Sequence, residues 1–223
     1  MIKVFAYKLD ENNADILLDK MSLLSLKEKE YVCRYKYEKD RLRSLIGRLL
    51  LLSFADRYTS DFFKEVNFVS GTDEFVKDKI SDIEISIDEN GKGRIDNRDN
   101  LFFNISHSKD YVVLALSDEE VGIDIQEIKP LKANVPKRFF TDLDNEYIDQ
   151  NEEERTERFT KVWSAKESFA KLTGNGIGEG FATFYEDFER MVITDLKTKE
   201  DKAQITEYLI DSNYKCFAAF YKG

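Results

Sequence analysis

The stretch from residue 101 to 127 constrains the fold most. It carries three β-type runs, 101–107, 111–117 and 120–127, joined by short polar turns, a pattern that predicts an antiparallel meander. Helical periodicity lies on either side of it. Residues 38–57 predict a long helix whose apolar face runs through Leu42, Leu45, Leu49, Leu52 and Phe54. A second long helix is expected over about 153–173, ended by Gly174 and preceded by helical, acid-rich sequence at 142–150. Residues 2–9 read as a first strand, and 190–196, 203–210 and 214–221 as the closing strands. Short helices are expected at 13–20 and 26–35, the second capped by Ser25, and Asp88–Gly93 reads as a turn. Each half thus holds a long helix and several strands. The expected class is α+β, with antiparallel strands packed on a long helix in each of two similar lobes, 1–115 and 116–223.

At 223 residues the chain can bury a real core, and 42% apolar with 35% charged residues is a globular mix. The net charge of −10 excludes a general nucleic-acid binder, which needs a basic footprint. Residues 27–48 nevertheless hold eight Lys or Arg against four acids, which leaves −14 on the remainder. A patch of this kind suits a small polyanion or an acidic partner, or else a solvated helix laced with ion pairs. No apolar run approaches the roughly 20 residues of a membrane span. The start, Met1-Ile-Lys-Val-Phe-Ala-Tyr-Lys, reads as a strand and not as a signal peptide. Cys33 and Cys216 show neither metal nor disulfide spacing and read as half-buried thiols of a reducing cytoplasm.

Three places offer chemistry. His107, the only histidine, sits in Asn104-Ile-Ser-His-Ser-Lys-Asp110, a strand end suited either to a phosphate or to a structural hydrogen bond. Asp124 lies between Ile123 and Ile125; alternation puts it on the face shared by Gly122 and Gln126, where it is solvated, paired or metal-bound. On the second long helix Glu167 and Lys171 edge an apolar arc beside Trp163, with Lys166 inside that arc. By itself the Glu167–Lys171 spacing reads as a helix-stabilising pair.

Their combination is more specific. Asn-Ile-Ser-His-Ser, then Gly-Ile-Asp, then Trp163-Ser-Ala-Lys-Glu-Ser168 with Lys171, in that order, resembles the larger, Sfp-type class of 4'-phosphopantetheinyl transferases. Arg43-Ser-Leu-Ile-Gly47, Gly91-Lys92 and Lys171-Leu-Thr-Gly-Asn-Gly176 resemble further stretches of that family. The resemblance implies two pseudo-symmetric lobes with coenzyme A between them, and transfer of its phosphopantetheine arm to a serine of an apo acyl or peptidyl carrier protein. Adenosine 3',5'-bisphosphate would be released. It further implies that Asp124 and Glu167 ligate Mg²⁺, that Glu167 is the general base, and that Lys171 faces the pyrophosphate. Ser106 and His107 would hold the 3'-phosphate, with Lys92, Arg43 and Ser44 on the nucleotide and phosphates. A cytoplasmic monomer is expected, with no membrane or nucleic-acid partner.

The chain departs from the family twice. Gln126 stands where members often carry a third acid, so the third metal position is filled by its carbonyl oxygen, by water, or not at all. In the 27–31 helix Lys27 and Lys29 are present, but position 28 is Glu and position 31 is Tyr. The rival readings are a catalytically impaired coenzyme A- or carrier-binding member of the same fold, and an acidic interaction module.

Overall fold

The computed structural model describes residues 1–58, 66–77, 80–130, 139–176 and 180–221. The first half runs β1 (Ile2–Lys8), α1 (Ala14–Asp19), α2 (Leu26–Cys33), α3 (Glu38–Phe54), β2 (Val66–Val69), β3 (Ile85–Ile87), β4 (Gly93–Ile95), β5 (Phe102–Ser108) and β6 (Tyr111–Ser117). The second runs β7 (Val121–Glu127), α4 (Asp142–Asp149), α5 (Arg155–Thr173), β8 (Phe184–Asp187), β9 (Val192–Asp195), β10 (Asp201–Glu207) and β11 (Tyr214–Phe220). This is an α+β arrangement. One sheet has the order β2-β1-β6-β5, the other β7-β11-β10-β9-β8, and β3 with β4 forms a separate hairpin. Strand pairing is antiparallel except between β1 and β2.

Side-chain alternation sorts the strands into layers. From β1 and β6, Phe5, Tyr7, Val112, Leu114 and Leu116 pack with α3, while Val4, Ala6, Val113 and Ala115 turn the other way. That second face meets Val121, Ile123 and Ile125 of β7 and Cys216 and Ala218 of β11. The opposite side of β11, Phe217 and Ala219, packs under Ala165, Phe169 and Leu172 of α5. The order of layers is therefore α3, first sheet, second sheet, α5. It explains why β6 is apolar on every residue up to Leu116: both of its faces are covered.

Several expectations need correction. The meander stops after two strands. β6 gives its second edge to β1, in register from Ile2 opposite Ser117 to Lys8 opposite Tyr111, so β7 leaves for the other sheet and pairs with β11. The helix over 38–57 ends at Phe54 and tightens into a 3-10 turn at 55–57. It is buried at every residue from Leu45 to Phe54, because α1 and α2 cover the side left free by the sheet. β8 is absent from the sequence reading, because its inward residues, Phe184 and Glu186, do not make an apolar alternation. Neither cysteine is half-buried: Cys33 is exposed and Cys216 wholly buried.

The two sheets meet edge to edge at β5 and β7. No backbone ladder joins these strands. Instead, Asn104 Oδ1, Ser106 Oγ and Ser108 Oγ accept the backbone N–H groups of Ile123, Ile125 and Glu127 at 3.0, 3.3 and 2.9 Å. Every second residue of β5 meets every second residue of β7, so two strands with period 2 lock in register through side chains. An edge that would otherwise present unpaired N–H groups is closed.

Candidate active site

The site grows from the contact of β7 with α5. Gly122 is the closest point: a Cβ there would lie 2.0 Å from the Ser168 carbonyl oxygen and 2.4 Å from the Leu172 nitrogen. Only a residue with no side chain lets the helix backbone approach so near. Ser164, fully buried, shares its one hydroxyl proton between the carbonyl oxygens of Asp124 at 2.9 Å and Lys215 at 3.3 Å, tying the same helix to β7 and β11. α5 ends at Gly174, whose φ of 75° is the left-handed C-cap that glycine adopts without strain.

Lys166 has a different environment from its neighbours. Its side chain is wholly buried, with Nζ 2.9 Å from Asp144 and 3.3 Å from Glu186. It also donates to the carbonyl oxygens of Phe181 and Phe184 at 2.9 and 2.8 Å. Burial pushes the Glu186 carboxyl well above the usual carboxylate range, Lys166 acting against this and Asp144 reinforcing it. Lys166 therefore faces away from the cleft and fastens α5 to α4 and β8. Trp163 stands on the same side, among Phe140, Phe159 and Phe181.

Glu167 and Lys171 face the cleft. Lys171 Nζ lies 2.7 Å from Asp124 Oδ1, 2.8 Å from Ser106 Oγ and 3.1 Å from the Ile123 carbonyl oxygen. The Gln126 amide donates to Asp124 Oδ2 at 2.9 Å, which places positions 124 and 126 on one face. Glu127, on the opposite face, pairs with Lys109 and Lys129 at 2.8 and 2.6 Å. The Glu167 carboxyl is pushed up to about 7, first by burial and second by the charge of Asp124, with Lys171 opposing both. Two close carboxylates that resist holding both charges are a donor set suited to a cation. Oxygen-preferring Mg²⁺ commonly takes one or two carboxylates and completes its shell with phosphate and water. No group of three or more His, Cys, Asp or Glu that could hold a metal ion occurs among the described residues.

A cavity of about 190 Å³ opens over this centre, lined by Glu167, Lys171, Lys92, Asn104 and Gly174. A second, of about 150 Å³, is lined by Arg43, Ser44, Arg48, Tyr31 and His107. Both include Gly91, Asn104 and Ile105, so they form one trough along β5. Arg43 donates to Asp40 at 2.8 Å and to the Lys109 carbonyl oxygen at 2.9 Å. The His107 pKa is lowered, first by partial desolvation of the ring and then by the charges of Arg43 and Lys171. The ring stands at the rim with its outer side open to solvent.

The structure thus brings Asp124, Glu167, Lys171 and Gln126 together at one end of the trough and Arg43, Ser44 and His107 at the other. Two of the sequence-derived placements change. Lys92 lines the first cavity, but its ammonium is held by the Leu172 carbonyl oxygen at 2.5 Å and by Glu120 at 2.6 Å, across the C-terminal end of α5. Ser106 does not stand beside His107: adjacent residues on a strand point to opposite faces, and Ser106 lies in the seam, 5% exposed. Sequence reasoning passed over Asn104 and Ser108, although small polar residues at 104, 106 and 108 repeat with the period of a strand. Arg48, counted only within the basic patch, is 3% exposed, pairs with Glu28 at 3.1 Å and lies 3.9 Å from the Tyr31 ring. Among the described residues no helix is long and apolar enough to cross a membrane.

Comparison with known proteins adds an independent line. A model of the 4'-phosphopantetheinyl transferase superfamily matches residues 120–220, which include β7 and α5. The chain is 30% identical over 198 residues to 4'-phosphopantetheinyl transferase Sfp of Bacillus subtilis (strain 168), covering 87% of this chain and 81% of that protein. It is 31% identical over 188 residues to 4'-phosphopantetheinyl transferase psf-1 of Bacillus pumilus, covering 82% and 73%. A segment of 89 residues is 42% identical to the human L-aminoadipate-semialdehyde dehydrogenase-phosphopantetheinyl transferase, covering 35% and 29%.

Proposed function

This chain belongs to the 4'-phosphopantetheinyl transferase superfamily and is an enzyme of that class, and we propose that it moves the phosphopantetheine arm of coenzyme A onto a carrier-protein serine. In this reaction the serine Oγ bonds to the phosphorus that carries pantetheine. The bond from that phosphorus to the bridging oxygen breaks, and adenosine 3',5'-bisphosphate leaves. The observation that carries the reading is the Asp124–Glu167–Lys171 constellation at the floor of the trough, with Glu167 held near 7.

Each residue has a task. Glu167 titrates near neutrality and accepts the serine proton. Asp124 and Glu167, with Gln126 beside them, would hold Mg²⁺, and a dication there would supply positive charge toward the phosphate oxygens. Lys171 adds a fixed positive charge facing the same oxygens. Arg43, Ser44 and His107 form the far end of the trough and take the 3'-phosphate and nucleotide. Lys92, bound to the end of α5, braces the wall between the two ends. The lobe 1–115 lines the Arg43–His107 end of the trough, the lobe 116–223 joins it at the Glu167–Lys171 end, and the enzyme works as a cytoplasmic monomer.

The test is incubation of the enzyme with coenzyme A, Mg²⁺ and a panel of apo fatty-acid, polyketide and peptide carrier proteins, read by intact-protein mass. Gain of one phosphopantetheine on a carrier is expected with the parent enzyme. Asp124→Ala and Glu167→Ala should stay folded and give none. Parent-like turnover in either variant at saturating coenzyme A and Mg²⁺ overturns the site.

A further inference from the structure

We propose that Ser106 is a positioning residue, which sets the orientation of Asp124 and Lys171, and not a ligand of the 3'-phosphate. The proposal rests on the reading of Asp124 as a cation ligand given above.

The argument starts from what a hydroxyl can do. It donates one hydrogen bond and accepts two. Ser106 Oγ donates to Asp124 Oδ1 at 2.9 Å and accepts from Lys171 Nζ at 2.8 Å and from the Ile125 N–H at 3.3 Å. All three capacities are used, inside a seam where the residue is 5% exposed. Ser106 lines neither cavity of the trough, whereas its neighbours Ile105 and His107 line the one that Arg43 occupies. Ile105 and His107 share the face of β5 opposite the Ser106 side chain, and no rotamer change at Ser106 brings its hydroxyl through the strand to the His107 ring.

The same three bonds give the residue a function. Asp124 Oδ1 receives Ser106 and Lys171, and Oδ2 receives the Gln126 amide, so the carboxylate plane is fixed from both sides. The ammonium of Lys171 is fixed by Ser106, the Ile123 carbonyl oxygen and Asp124. Ser106 is the atom that couples these two groups to each other and to the backbone of β7. Its removal frees the carboxylate to rotate and leaves the Ile125 N–H without its acceptor. Groups that orient metal-binding carboxylates typically cost about 10-fold to 100-fold in affinity or rate when lost.

The experiment compares Ser106→Ala, Asp124→Asn and His107→Ala with the parent. Mn²⁺ binding is measured by electron paramagnetic resonance without coenzyme A, and kcat and KM with coenzyme A and with dephospho-coenzyme A, which lacks the 3'-phosphate. Ser106→Ala should weaken Mn²⁺ binding about 10-fold or more and lower kcat equally on both substrates, leaving the ratio of their KM values unchanged. Circular dichroism and urea midpoints establish that the protein is folded. If Ser106→Ala is too unstable to purify, Ser106→Cys, of similar size and with a poor donor, carries the same prediction, and Ser106→Thr, which keeps the hydroxyl, should restore Mn²⁺ binding. A loss confined to coenzyme A would show that the hydroxyl reads the 3'-phosphate, and unchanged Mn²⁺ binding would show that it positions nothing; either overturns the proposal. Asp124→Asn separates the two layers of the argument. Parent-like Mn²⁺ binding there removes the cation site itself, whereas its loss together with an intact Ser106→Ala removes only the role of Ser106.

Discussion

Lys166→Met should be among the most destabilising single changes in this chain, although the residue never reaches the cleft. The substitution keeps length and apolar stem and deletes one charge. What it leaves behind sets the magnitude. Asp144 loses the cation at 2.9 Å while itself only 3% exposed, and the carbonyl oxygens of Phe181 and Phe184 lose their donor. Removing one partner of a buried ion pair costs about 3–5 kcal/mol, against about 0–1 kcal/mol for a surface pair. In a domain of this size that corresponds to a Tm lower by roughly 6–20 °C. Urea unfolding followed by circular dichroism gives the free energy, and the double variant Asp144→Asn with Lys166→Met should recover part of it by removing the orphaned charge. Glu186→Gln is the contrasting case. Its carboxyl is held toward the neutral form, so an amide of the same shape should cost no more than about 1 kcal/mol. The sign with pH follows. A carboxyl whose folded pKa is raised binds its proton more tightly when folded, so it lowers stability as pH rises above about 4.5. Glu186→Gln lacks that group and should gain on the parent between pH 5 and pH 8. A loss below about 1 kcal/mol in Lys166→Met would refute the reasoning, because it would place the lysine in the class of surface contacts.

Four further outcomes are expected. Gly122→Ala forces the α5 backbone away from β7 and should cost about 3 kcal/mol, the upper end of overpacking, in a urea titration; a loss under about 1 kcal/mol would mean the helix yields freely. His107→Ala should raise KM for coenzyme A and barely change it for dephospho-coenzyme A, whereas an equal loss on both would assign the ring to structure. Gln126→Glu should lower the Mg²⁺ concentration giving half-maximal initial rate, by adding a carboxylate on the face of Asp124; an unchanged or higher midpoint would remove position 126 from the ion. Because Glu167 titrates near 7, protons compete for it: Mn²⁺ affinity without coenzyme A should weaken about tenfold per pH unit below 7 and level off above, and a flat profile would detach Glu167 from the cation.

What the sequence made legible followed from periodicity. The alternation around Asp124 placed it with Gln126 and against Glu127, and the 3.6-residue repeat set the second long helix, with Gly174 at its end, close to Arg155–Thr173. What stayed hidden were pairings between distant residues. Nothing local says that Lys166 meets Asp144 and Glu186, so a charge inside an apolar arc carried no assignment. β7 has the residues of a meander strand, and only the occupation of β6 by β1 sends it elsewhere. Motif residues posed the subtlest problem. Adjacent Ser106 and His107 read as one phosphate-binding unit, yet the pleat sends their side chains to opposite faces.

The seam between β5 and β7 bears on how this chain can change length. Its three contacts rest on a shared count of residues along two strands, since Asn104, Ser106 and Ser108 answer Ile123, Ile125 and Glu127. Inserting one residue ahead of Asn104 within β5 would reverse every side chain beyond it. The imidazole would swing into the seam and the serines into the trough, and Asp124 would lose its partner in the same event. No single substitution could repair all of these together. The turn at 118–120, by contrast, carries neither register, and lengthening it should be tolerated as surface loops generally are. In this fold the places that tolerate a change of length are set by the arithmetic of one strand running beside another.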